Sequence, residues 1–281
     1  MSSTRARVPA GRGADATRTE TARAMCLILF AWDAHPRWKL VVGANRDEFF
    51  ARPTAPAAFW DDAPDVLAGR DLREGGTWLG VTRSGRFAAV TNFREPEKYR
   101  VGAPSRGHLV ANFLRSRARP TGFAGGLVRV AGDFNGFNLL MADRGQLVWF
   151  SNRADDAYEL DGGVYGLSNH LLDTPWPKVA RGKEDLRRAL EGPEEELEGR
   201  LFASLALRDP APDDTLPSTG VGLERERALS ASFIVTPEYG TRASTVLLVG
   251  RDGEVSFTER TTVPGEDRWT EVRHAFRLDD P

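Results

Sequence analysis

Cys26 is the only cysteine in the 281 residues, and it directly follows an internal methionine, Met25. If translation starts at Met25 and that residue is removed, Cys26 carries a free α-amino group beside its thiol. One residue then holds a nucleophile and its base. The thiolate attacks a carbonyl carbon, and the amine, with a reference pKa of about 7.7–8.0, accepts the thiol proton. Such a nucleophile needs a carboxylate to orient the amine and a guanidinium to lower the thiol pKa. It also needs amide donors for the tetrahedral oxyanion.

Four polar clusters supply candidates. In Asn45-Arg46-Asp47-Glu48, Asp47 is the candidate to orient the amine, Arg46 to tune the thiol, and Asn45 to touch substrate. Thr91-Asn92-Phe93-Arg94 offers Asn92 as an oxyanion donor, and Tyr165-Gly166-Leu167-Ser168-Asn169 offers Asn169. Tyr239-Gly240-Thr241-Arg242 offers Arg242, whose guanidinium suits bidentate capture of a substrate carboxylate. Each has a plainer reading. A lone cysteine is commonly a small buried apolar residue, an Asn in a loop is commonly turn chemistry, and charged runs are commonly solvated surface.

The elements that must position these residues read first as strands. The apolar runs 26–32 and 38–44 are joined by the turn-like Asp33-Ala34-His35-Pro36-Arg37, and a hairpin would return the Asn45–Asp47 cluster beside Cys26. Prolines 53, 56 and 64 mark an irregular loop. Hairpins are expected at 77–82 with 86–92 and at 137–142 with 146–151. Helices are expected over 106–115, 176–190 and 194–207, with Pro193 suited to a first helical turn. Residues 209–222 read as a mobile surface loop, and closing strands are expected at 243–250 and 254–260. Hairpins followed by a helix pair and more strands indicate a layered α+β fold.

Composition sets further bounds. Residues 1–24 are rich in Arg, Ala, Thr and Gly and hold no apolar core for a secretory signal. They are expected to be a misassigned start or a disordered leader, which leaves 25–281 as a single domain. A net charge of −2, with both signs interspersed, gives no electrostatic reason to expect a nucleic-acid partner. No run approaches the roughly 18 apolar residues of a spanning helix, and one cysteine cannot form an internal disulfide. A cytoplasmic protein is therefore expected, with no metal, since the four histidines lack zinc-site spacing. Oligomeric state is open.

Several ordered motifs carry a resemblance. Met25-Cys26, Asn45-Arg46-Asp47-Glu48, Ala51-Arg52-Pro53-Thr54, Ala68-Gly69-Arg70-Asp71, Gly75-Gly76-Thr77-Trp78, Thr91-Asn92-Phe93-Arg94, Gly166-Leu167-Ser168-Asn169, Asp173-Thr174-Pro175-Trp176-Pro177-Lys178 and Tyr239-Gly240-Thr241-Arg242 resemble the NRDE-motif family, also called the transport and Golgi organisation protein family. That family is in turn similar to cysteine N-terminal-nucleophile hydrolases of the choloylglycine and penicillin V acylase type. The second resemblance implies a four-layer αββα sandwich of antiparallel sheets. It also implies hydrolysis of a non-peptide amide (N-acyl) C–N bond through Cys26, without a cofactor. The match departs at two arginines. Ala44 stands where those hydrolases place one, leaving Arg46 on the same strand face as the substitute, and Ser232 stands where they place another, leaving Arg242. The family resemblance implies an alternative, a non-catalytic carrier of haem or of a lipid or acyl-CoA-type hydrophobic ligand, with Cys26 or His170 near a haem iron. Either way the partner is a small molecule.

Overall fold

The computed structural model describes residues 25–263 and 265–280, so the expected leader at 1–24 lies outside the described residues. The apolar run that opens at Cys26 is strand β1 (Cys26–Trp32), buried at every position. It pairs antiparallel with β2 (Trp38–Phe49), Cys26 lying opposite Arg46 and Trp32 opposite Leu40. The strand expected to stop at 44 runs on to Phe49, which puts Asn45, Arg46 and Asp47 inside it. The cause is on its other edge. β11 (Tyr239–Gly250) pairs with β2 from end to end, so the backbone groups around the polar cluster are satisfied on both sides.

Two antiparallel sheets result. The first has the order β10 (Gly163–Leu167), β1, β2, β11, β12 (Glu254–Thr262), β13 (Trp269–Arg277). The second runs in chain order through β3 (Thr54–Trp60), β4 (Ala63–Asp71), β5 (Leu79–Thr82), β6 (Phe87–Asn92), β7 (Phe137–Ala142), β8 (Leu147–Ser151) and β9 (Ala157–Glu159). Successive side chains on a strand point to opposite faces, and the apolar runs therefore feed two cores at once. Ile28, Phe30, Val42 and Ala44 meet Leu67, Val81, Phe87 and Leu140 of the second sheet. Leu27, Leu29 and Val41 face α3 (Pro177–Leu190) and α4 (Leu197–Leu205). The outer face of the second sheet, including Ala88, Leu139 and Met141, packs on α1 (Gly107–Arg115) and α2 (Pro120–Leu127). Helices, sheet, sheet, helices: this is the expected αββα sandwich in four layers. Full burial of side chains such as Phe30 and Leu29 contributes roughly 1.5–3 kcal/mol each.

The region read as an irregular loop around prolines 53, 56 and 64 is instead the β3–β4 hairpin. β3 is an edge strand, where a missing N–H is tolerated, and Pro56 falls where the register shifts between Ala55 and Ala58. Loop 209–222 is pinned at one end. In α5 (Leu223–Ala228) the buried carboxylate of Glu226 accepts from Arg94 Nη1 at 2.5 Å and from the Thr219 amide at 2.8 Å. The Arg94 guanidinium also lies over the Trp176 ring at 4.4 Å.

Removing one member of such a buried pair strands the other charge, typically at about 3–5 kcal/mol. Glu226→Ala is expected to lower unfolding free energy by an amount in that range, read by urea denaturation. A loss below about 1 kcal/mol would mean that Arg94 finds water or another partner.

Candidate active site

Cys26 and Arg46 are cross-strand neighbours, so both side chains point into the layer between the sheets. At that end the apolar core gives way to a cavity of about 390 Å³, small-molecule in size, whose walls include Cys26, Arg46, Asn92, Arg106 and Arg242. A ladder of charge leads along its wall. Arg46 reaches Thr54 Oγ1 (3.3 Å) and Glu48 (3.5 Å), Glu48 reaches Arg52 (3.6 Å), and Arg52 pairs with Asp71 at 2.6 Å. The double-glycine motif shapes this wall. A Cβ on Gly76 would sit 2.6 Å from the Gly107 backbone, so only glycine lets the 71–77 turn close on α1.

The backbone of Cys26 is gripped from three sides. Its N–H faces Asn169 Oδ1 at 3.3 Å, and its carbonyl accepts from Ser168 Oγ at 2.9 Å. The Met25 carbonyl before it accepts from the Asp47 amide at 2.9 Å. Asn169 Nδ2 in turn donates to the Asn92 carbonyl at 2.9 Å, and Thr91 Oγ1 to the Ser168 carbonyl at 2.6 Å. Segment 168–169 thereby ties β1 of one sheet to β6 of the other at the cysteine. Met25 itself is buried against Ile234 and Tyr239, its N–H donating to the Tyr239 hydroxyl at 2.6 Å.

With its nitrogen in that peptide, the thiol is held inert. Burial first, and then the charge of Asp47, push the Cys26 pKa up to about 12 against the downward pull of the Asp47 amide and of Arg46. Asp47 lies on the other face of β2. Thr241 Oγ1 donates to its Oδ1 at 2.6 Å, while buried Oδ2 has no hydrogen-bond partner among the described residues. Burial raises its carboxyl above the usual carboxylate range, opposed chiefly by the Lys178 ammonium.

The remaining candidates separate. Asn45 faces the helix side and, unlike Asp47, does not line the cavity: its Nδ2 donates to the carbonyls of Leu205 (2.8 Å) and Ser232 (2.7 Å), and its Oδ1 accepts from Ser244 Oγ (2.7 Å). These bonds fasten β2 to the end of α4. Arg242 is the extra residue of a bulge, since Thr241 pairs with Asp47 and Ala243 with Arg46. Its Nη1 donates to the carbonyls of Phe49, Phe50 and Arg52. His170 bonds Thr174 Oγ1 at 2.9 Å and stacks on Phe93, outside the cavity walls.

Sequence reasoning passed over Arg106, Glu259 and Lys178. Arg106 donates to the Gly136 carbonyl at 3.0 Å and has no carboxylate partner among the described residues; burial lowers its pKa to about 10. Glu259 is a buried cavity residue that accepts from the Ala57 amide at 2.8 Å. Arg106 opened an expected helix, Glu259 lay in an expected closing strand and Lys178 ended a family motif, and no spacing rule separates any of them from surface charges. Among the described residues no group of His, Cys, Asp and Glu could hold a metal, and no helix is long and apolar enough to cross a membrane.

A four-layer αββα sandwich with its lone cysteine opening a central strand, nitrogen toward an Asn and thiol toward a cavity, has the layout of an N-terminal-nucleophile-hydrolase-like fold. The chain belongs to the Transport and Golgi organisation 2 family, whose model matches residues 25–264. Its relatives include the Transport and Golgi organization protein 2 homologs of Bos taurus and Homo sapiens, 39% and 36% identical, each over 90% of this chain and 99% of the relative. Among solved structures it is similar to a Caenorhabditis elegans N-acylethanolamine-hydrolyzing acid amidase ortholog, at 11% identity and a TM-score of 0.38 over 79% of this chain and 92% of that one. It is also similar to a mutant conjugated bile acid hydrolase from Clostridium perfringens, at 9% identity and a TM-score of 0.38 over 91% and 97%.

Asn45→Ala is expected to destabilise the fold by about 3 kcal/mol, because two buried carbonyls and a hydroxyl lose their partner together. Thermal or urea unfolding measures it. A stability within about 0.5 kcal/mol of the parent would return Asn45 to the list of substrate contacts.

Proposed function

We propose that the protein, once Cys26 is its first residue, hydrolyses a non-peptide amide C–N bond of an N-acyl compound. The observation that carries this reading is that the Cys26 nitrogen faces the Asn169 amide oxygen while its side chain shares a cavity with Arg46 and Asn92. The amine takes the thiol proton and the thiolate's electron pair forms the C–S bond to the acyl carbon, the C=O π pair moving onto the carbonyl oxygen. Asn92, on the cavity wall, is the candidate to hold that oxyanion. Asn169, which contacts both the Cys26 nitrogen and the Asn92 carbonyl, fixes nucleophile and donor relative to one another. Collapse of the tetrahedral adduct breaks the C–N bond, and the ammonium returns its proton to the leaving amine. Water then attacks the thioester, giving up a proton to the same amine, and the acid departs while the thiol is restored.

Asp47 holds the amine in this scheme, and Arg46, directly across the strand pair, favours the thiolate. Arg242 and Arg106 line the cavity with no carboxylate partner among the described residues and suit the polar end of a substrate. A cytoplasmic setting keeps a single thiol reduced. The carrier of haem or an acyl chain gains less support, since charged side chains line much of the cavity and His170 lies outside it.

The test uses chain initiated at Met25, with intact mass showing loss of that residue, incubated with a panel of N-acyl amides. Turnover is expected, with a trapped thioester that adds the acyl mass to Cys26. Cys26→Ser is expected to lower the rate by about three orders of magnitude. Undiminished turnover in protein whose Cys26 nitrogen stays amide-linked would overturn the reading.

A further inference from the structure

Two buried atoms of ionisable side chains near Cys26, Asp47 Oδ2 and Lys178 Nζ, have no hydrogen-bond partner among the described residues. Their residues are 1% and 3% exposed. Both belong to the helix-facing side of the first sheet. The strand pleat turns Asp47 there with Asn45, and Lys178 opens the buried stripe of α3 with Val179 and Gly182. No ion pair joins them, yet each is the largest source of attraction acting on the other. Around Lys178 stand Cys26 on β1, Arg94 after β6 and Glu226 on α5, and the last two already pair with one another. Around Asp47 stand Thr241 and Tyr239 on β11, with Arg46 and Glu48 on its own strand. Asp47 Oδ2 therefore needs a donor and Lys178 an acceptor, and the Met25–Cys26 peptide passes directly beside Asp47. Lys178 also closes Asp173-Thr174-Pro175-Trp176-Pro177-Lys178, a motif to which the scheme above gives no role.

We propose that Lys178 is a positioning residue of this site: its ammonium keeps Asp47 an ionised acceptor for the α-nitrogen of Cys26 and keeps that nitrogen a neutral amine, able to take the thiol proton. The proposal rests on the hydrolase-like reading of Cys26. Burial drives both side chains toward their neutral forms, and each is the chief charge opposing that drive in the other. Without Lys178 the carboxyl would tend to become a donor and could no longer accept from the amine. Were Asp47 to stay ionised with no ammonium beside it, its field would hold the α-amine protonated and spoil it as a base. A carboxylate and an ammonium together leave little net field at the amine, and its basicity stays near the range that proton transfer at neutral pH requires.

The pair is measurable without any substrate. In the full-length protein, Asp carboxyl carbons are followed by ¹³C NMR against pH, with the Asp47 signal assigned from its absence in Asp47→Asn. In Lys178→Met the Asp47 midpoint is expected to rise by a pH unit or more, a tenfold gain in proton affinity, while Lys178→Arg holds it near the parent value. The reciprocal reading is the Lys178 ¹⁵Nζ midpoint, which is expected to fall by a similar amount in Asp47→Asn. It decides the question should Lys178→Met fail to fold. Midpoints unmoved in both experiments would overturn the proposal and make Lys178 a packing residue. Because neither titration involves turnover, an absent amidase activity with coupled midpoints would overturn the hydrolase reading and leave the pair intact. Turnover without coupling would do the reverse.

Discussion

Three consecutive polar side chains buried in the middle of a central strand are the constraint from which the rest of this molecule follows. Asn45, Arg46 and Asp47 sit in β2 with neighbours on both edges and layers on both faces. The pleat sends Arg46 one way and its neighbours the other, and each must be matched where it lands. Arg46 meets Cys26, Thr54 and Glu48 at the cavity. Asn45 meets two backbone carbonyls and Ser244, and Asp47 meets Thr241. A strand buried on both faces would be more stable with apolar residues there. That these three remain polar gives this end of the sandwich its chemical capacity.

The second sheet enters through one short segment. Ser168 and Asn169 leave β10, bond to the Cys26 backbone and are held in turn by Thr91, Asn92 and the Arg94 amide. Any shift of the sheets against each other would break these bonds together, so the distance from cysteine to cavity wall is fixed by the sandwich. Arg94 extends the tie through Glu226 to α5 and Thr219, which links the stability of an outlying loop to the geometry of the site.

Much of this was legible in the sequence. The β1–β2 hairpin followed from two apolar runs and a turn, and it brought the Asn45–Asp47 cluster to Cys26 as expected. The layers followed from resemblance, since hairpins and a helix pair alone do not choose among α+β folds. What escaped did so for physical reasons. Pro56 hid an edge strand, where proline is harmless. Three glycines hid α2, whose apolar residues find their partners in tertiary contact, and charged β13 is a half-exposed edge that propensity describes poorly. Arg94 and Lys178 stood in quoted motifs without a role of their own and Glu226 went unremarked, because burial of a charge is decided by partners distant in the chain. Asn45, expected at the substrate, turned to the helix side because a strand's neighbours alternate.

In the proposed reading, one peptide bond separates a thiol held in its protonated form from a nucleophile. The direct measurement is the pH dependence of Cys26 alkylation by iodoacetamide, taken on protein that retains Met25 and on protein that begins at Cys26. In the first, the rate should climb tenfold per pH unit with no plateau below about pH 10, as a thiol pushed up to about 12 requires. In the second, the new amine and the solvent admitted beside it should bring the midpoint down by at least two units. Identical profiles would contradict the account, because the free amine would then have no influence on the sulfur it is meant to serve.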